Sequence, residues 1–316
     1  MRDQGPAASV AAMTAAARAT LLVSFLAALG LGDLGCKKSG ETIPAGEEGA
    51  ARPTGDAVEI AYKSGAQRLR QDGKLTFRAT EPDGVSEVKL DLSGTLDISD
   101  SNAGKLKVAY TVQEVRQADL SKNILESLSK EGPPPDILAL VKAATGAQVV
   151  DLHGETDEAA TKALPENKDK KAQGPGAAAE GFVGGLLKLP SELPPKPLSA
   201  ATPLKLSERK KKPTPFGMQL DMDIATTYTL VKIDASSGKR IAEIKIESTQ
   251  SGAHEEKGGG LIAVDIEAEG LLRFNVDDRL PVSYKLRVTQ NINASARGQE
   301  ISVEIMSEVD STFAPA

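Results

Sequence analysis

From residue 58 to the end of the chain, apolar and polar side chains alternate. In the first half the apolar members are Val58, Ile60 and Tyr62; then Leu75, Phe77 and Ala79; then Val88, Leu90, Leu92, Leu96 and Ile98; then Leu106, Val108, Tyr110 and Val112. A period of two puts one set of side chains on each face of a strand, so each run predicts a strand with one buried and one wet face. Between the runs stand turn-forming triplets and clusters: Gln71-Asp72-Gly73, Pro82-Asp83-Gly84 and 99–104, "SDSNAG". Short breaks of this kind predict an antiparallel meander.

The spacing changes in the middle. Leu120, Ile124 and Leu128 lie four apart and predict a helix over 119–131 with Asp119 as its N-cap. Residues 136–144 predict a second short helix with Leu138, Leu140 and Val141 inward, and 147–154 return to a strand that Gly154 ends. Residues 155–178 are polar and low in complexity and read as a long loop. A third helix is expected over 179–190, carrying Phe182, Leu186 and Leu187 and weakened by Gly184 and Gly185, before a proline-rich extended crossing over 190–203.

A second alternating set follows. It comprises Met218, Leu220, Met222 and Ile224 with Tyr228 and Leu230; Ile244 and Ile246; Ile262, Val264 and Ile266 with Leu272, Phe274 and Val276; Val282, Tyr284, Leu286 and Val288; and Ile301, Val303 and Ile305. The expected class is mainly β (α+β), with long antiparallel strands in two similar sets and a few short helices between them. A one-sided sheet must cover its apolar face. The expectation is therefore a curved sheet wrapped on the helices, an open barrel or a sandwich. The expected division is 58–154 for the first β-rich half, 155–203 for the loop, helix and crossover, and 204–316 for the second β-rich half.

The N-terminal residues follow another logic. Met13 is a candidate start. Arg18 supplies a basic n-region, Leu21 to Leu31 an apolar stretch, and Gly35 a small residue before Cys36, the single cysteine of the chain. The apolar stretch is shorter than the roughly 20 residues a bilayer-spanning helix needs. The order basic, apolar, small is that of a secretory signal peptide, expected over residues 1–35. The residues Asp33-Leu34-Gly35-Cys36 resemble a bacterial lipobox, matching it at Gly35 and Cys36 and departing from it at Asp33 and Leu34. The resemblance implies a diacylglycerol on the Cys36 thiol. Acyl chains there would anchor the protein to the bacterial cell membrane or the outer membrane, with the domain in the periplasm or at the cell surface. The alternatives are a plain signal peptide with an incidental cysteine, or an uncleaved helix. Residues 37–57 hold Ile43 as their one large apolar side chain and read as a flexible tether, so that 36–57 would form an anchored leash.

A tethered cysteine, long alternating strands, a helical middle and few aromatic residues together resemble the open β-barrel lipoproteins. These include the LolA, LolB and mycobacterial lipid-carrier group. The segment 188–197, "KLPSELPPKP", before the second strand set also resembles a group of two-repeat β-rich envelope lipoproteins. The first resemblance implies a concave sheet face with room for acyl chains, and it implies no individual ligand residue.

Composition narrows the chemistry. The net charge is −6, tryptophan is absent and aromatics make up 3 % of the residues, which speaks against nucleic acid as a partner. One cysteine allows no internal disulfide and no cysteine-built zinc site. The two histidines are His153, with Asp151 beside it as a weak metal pair or a plain strand-end histidine, and His254, expected in a loop. No phosphate loop and no G-x-S-x-G elbow occurs. The basic run over 208–215 reads as a solvated loop, with contact to anionic lipid as the alternative. Asp221 and Asp223, and Asp277 and Asp278, lack calcium-loop spacing, and Asn293-Ala294-Ser295 is a formal glycosylation sequon. The functional expectation is a membrane-anchored, non-catalytic module for a lipid or other apolar ligand. The alternative is a structural envelope lipoprotein with a filled core and a protein partner. No cofactor is expected.

Overall fold

The computed structural model of the chain describes residues 57–82, 84–128, 136–168, 175–191, 193–213, 219–256, 260–296 and 299–316. The expected signal peptide, Cys36 and the tether up to residue 56 lie outside them. Ten strands form one sheet: β1 Gln67–Glu81, β2 Gly84–Asp100, β3 Leu106–Leu120, β4 Thr145–Val150, β5 Leu204–Pro213, β6 Gln219–Asp234, β7 Ile241–Glu256, β8 Gly260–Asn275, β9 Leu280–Ala296 and β10 Gln299–Pro315. The helices are α1 Lys122–Leu128, α2 Ile137–Ala143, α3 Glu158–Ala163, α4 Pro165–Lys168 and α5 Pro175–Leu186. Among the described residues no helix is long and apolar enough to cross a membrane.

The spatial order is β4-β3-β2-β1-β10-β9-β8-β7-β6-β5, with every neighbouring pair antiparallel. This is the order of the chain laid around an arc and interrupted between β4 and β5. The first and last strands meet inside the sheet, from Leu69↔Pro315 to Thr80↔Glu304. Most strands run to 15–17 residues, or about 50 Å. The curved, one-sided sheet with few short helices matches the expected class. The link from β4 to β5 covers the apolar face, and its side chains join those of both strand sets in a single core.

Several local expectations are corrected. Residues 58–62 are not a sheet strand: Val58 makes one isolated bridge to Leu198, while Ile60, Ala61 and Tyr62 are all buried against the end of the core. Gln71-Asp72-Gly73 is no turn but the middle of β1, because tertiary contacts to Gln71 and Gly73 override the local turn preference. Asp119 is no helix cap. Two bulges, at Asp91/Leu92 and Ser93/Gly94, carry β2 and β3 through to Leu120, and Asp119 pairs with Lys89. In α2, Asp136 accepts from the Ala139 N–H at 3.0 Å and serves as N-cap, while Leu138 points outward at 44 % exposure and Ile137 packs on the core instead.

The polar stretch 155–178 holds α3, α4 and the start of α5. Asp157 caps α3 through the Ala160 N–H at 2.9 Å. The basic run over 208–215 is not a loop as far as Pro213: it belongs to β5, an edge strand whose outward residues include Lys205, Arg209 and Lys211. His254 stands on β7, not in a loop, with its side chain exposed.

Candidate functional site: the covered interior of the sheet

The inner face is built by the strand registers. One row across the sheet runs Leu230, Ile244, Leu272, Tyr284, Ser311, Gly73 and Leu92. The next runs Tyr228, Ile246, Gly270, Leu286, Val309, Leu75 and Leu90. These rows are nearly all apolar and buried, and α5 with residues 187–191 lies over the part built from β1, β2, β9 and β10. Phe182, Val183, Leu186, Leu187, Leu189, Leu193 and Leu198 are buried. The interior gap bounded by Leu186, Tyr284, Leu286 and Ser311 measures about 10 Å3, room for roughly one water.

Two glycines shape the seat of this plug. A Cβ on Gly73 would lie 2.8 Å from Leu186 Cδ1, and one on Gly94 would lie 2.5 Å from Leu187 Cδ1 and 2.7 Å from the Thr111 carbonyl. Only a bare backbone lets the two leucines settle onto the sheet. Three side chains then latch the plug through its carbonyls. Gln71 donates from Nε2 to the Leu186 carbonyl at 2.7 Å and to Ser311 Oγ at 3.0 Å. Tyr110 donates to the Glu180 carbonyl at 3.3 Å, and Tyr62 to the Pro190 carbonyl at 2.8 Å. Burial pushes both phenols well above the ordinary tyrosine range, with the Glu180 charge adding to the effect at Tyr110. The Tyr62 ring also meets Phe274, centroid to centroid, at 5.8 Å.

Below these rows the inner face turns polar. Thr226, Ser248, Gln250, Gln290 and Ser307 all face inward and are buried. Thr226 Oγ1 and Ser248 Oγ share a hydrogen bond at 3.0 Å. The sequence signal for this belt was present: "TT" at 226–227, "STQ" at 248–250 and "TQ" at 289–290 interrupt the apolar phase of β6, β7 and β9.

The residues singled out from sequence do not converge on this interior. Cys36 lies outside the described residues. Asp151 Oδ1 accepts from the His153 and Glu155 N–H groups at 2.8 and 2.9 Å, which makes it the pivot of a turn. Asp277 and Asp278 clamp two hairpins: Asp277 binds the Arg240 N–H and guanidinium, and Asp278 binds Lys239 and Asn275. Asp221 and Asp223 are exposed on β6, and Asn293 is exposed on β9. Among the described residues no three of His, Cys, Asp and Glu group together as metal ligands.

On the outer face, a shallow groove of about 670 Å3 is lined by Lys74, Lys245, Lys285 and Arg287 among others. Each of these cations pairs with a carboxylate: Lys74 with Asp91, Lys245 with Glu247 and Glu269, Lys285 with Asp310, and Arg287 with Glu308. Exposed pairs of this kind contribute about 0–1 kcal/mol each and read as a solvated ladder. No protein-family model and no curated protein matches the chain.

Proposed function

We propose that the chain is a bacterial cell-envelope lipoprotein. On this reading residues 1–35 direct export, Cys36 carries the acyl chains and residues 37–57 leash the β domain to a membrane. The domain is then a non-catalytic binding module for a lipid or another apolar ligand. The observation that carries this reading is the plug. Part of the apolar face of an unclosed sheet is covered by α5, a helix of 12 residues containing Gly176, Gly181, Gly184 and Gly185, and by the segment that follows it. Each glycine inside a helix costs about 1 kcal/mol relative to alanine, so α5 is held mainly by its seat and latches. On this reading the cover gives way to the acyl chains of the ligand.

The gap of about 10 Å3 favours a second reading, a filled structural core whose outer strand faces meet an envelope protein. Native mass spectrometry of the purified protein separates the two. Co-purified lipid supports the binding module. The bare polypeptide mass in repeated preparations, with no uptake of added phospholipid, supports the filled core. Radiolabelled palmitate should enter the wild-type protein and be lost in Cys36→Ala; equal labelling of both would remove the anchor.

A further inference from the structure

We infer that the polar belt inside the sheet is a recognition site for the carbonyl of an acyl ester. This rests on the binding-module reading above and narrows its ligand class. The belt is built by register. Gln250, Ile266 and Gln290 lie side by side across β7, β8 and β9, and Thr226, Ser248, Ala268, Val288 and Ser307 form the adjacent row from β6 to β10. Gln250 is 2 % exposed, Thr226 and Ser248 3 %, and Gln290 and Ser307 5 %. Polar side chains so deep in an apolar sheet face are costly unless they are hydrogen-bonded.

Gln290 is one place where that cost is left standing. Its Nε2 is buried with no hydrogen-bond acceptor in reach. A buried amide donor without a partner asks for an acceptor, and the described residues offer it none. The surroundings define what the acceptor is attached to. Ile266 and Ile305 flank Gln290 on the two neighbouring strands. Along β9, Val288 and Leu286 lead back toward the end of α5, and Leu286 lies about 13 Å from Gln290 at 3.3 Å per residue. Beyond Gln290 the inner face is apolar again at Val264, Ile292 and Val303. The complement of an N–H donor set between apolar side chains is a carbonyl carried by a hydrocarbon chain. The belt carries no cation to hold a free carboxylate, so a neutral ester is the fitting group, with the serine and threonine hydroxyls beside it.

The test compares dioleoylglycerol with its ether-linked analogue, which has the same chains and no carbonyl, on the full-length protein and on Gln290→Leu and Gln290→Met. Binding is read by native mass spectrometry and by displacement of a fluorescent fatty acid. The inference expects about tenfold tighter binding of the ester by the wild-type protein. It also expects both substitutions to abolish that preference. Equal affinity of the wild-type protein for the two lipids overturns the inference and leaves the binding module standing. Binding of neither lipid overturns both.

Discussion

Tyr62 joins the start of the domain to the plug through one phenol, and its environment makes that contact sensitive to alkali. The hydroxyl is buried and donates to the Pro190 carbonyl, and burial holds its pKa well above the ordinary value. In the unfolded chain the phenol titrates near 10, so the folded state keeps the proton longer. The resulting stability is complete below about pH 10 and drains away as the pH climbs toward the folded value. Tyr62→Phe should lower stability at pH 7 by about 1–2 kcal/mol in urea denaturation and flatten the loss above pH 10, with Tyr110 retaining its own share of the slope. Parallel decline of the two proteins above pH 10 would remove Tyr62 from the alkaline limb. Asp277 behaves in the opposite sense. The Arg240 N–H and guanidinium hold its carboxyl below the usual carboxylate range. Its contribution is present above about pH 4 and lost as the pH falls through the folded value. The acid limb of a denaturation profile should therefore be shallower in Asp277→Asn than in the wild-type protein.

At the scale of elements, the two sheet edges are guarded by different means. On β4, the Val149 N–H donates to Thr161 Oγ1, the Val149 carbonyl accepts from the Asp157 N–H, and the Ala147 carbonyl accepts from Asn167 Nδ2. The polar stretch around α3 and α4 thus ends the ladder. On β5, Lys205, Arg209 and Lys211 point outward and exposed along the free edge, where charge opposes pairing with another strand. Replacing these three with valine should drive concentration-dependent association in light scattering, whereas replacing them with glutamate should not. The same contrast explains what could be read in advance. Alternation marked the strands whose inner residues are apolar. The basic run masked β5, because charge on an edge strand and charge on a loop look alike without the neighbouring strand. Gln71-Asp72-Gly73 misled for a related reason: Gly73 is there for the approach of Leu186, which no local pattern records. Gly94→Ala should cost about 1–3 kcal/mol in chemical denaturation, and more than Gly73→Ala, because its added carbon meets the Thr111 backbone while that on Gly73 meets only mobile side-chain atoms.

Over the whole molecule, two strand sets and a helical middle were legible because each is a local period. Their assembly into one arc was not, because Gln71 and Ser311, which touch, stand 240 residues apart in the chain. Nor was the gathering of the inward polar residues into adjacent rows, since which of them share a row depends on strand register. The meeting of the ends has a further consequence. Residues 299–316 are a tail only in the linear sense; in space they are a keystone. Removing them strips partners from both β1 and β9 and splits the arc at its middle, whereas losing β5 would merely shorten one flank. A protein ending at residue 298 should therefore show no cooperative thermal transition by circular dichroism. An intact arc cannot exist until the last strand has been made, so the half that is synthesised first must wait, with a raw border, for the half that comes last.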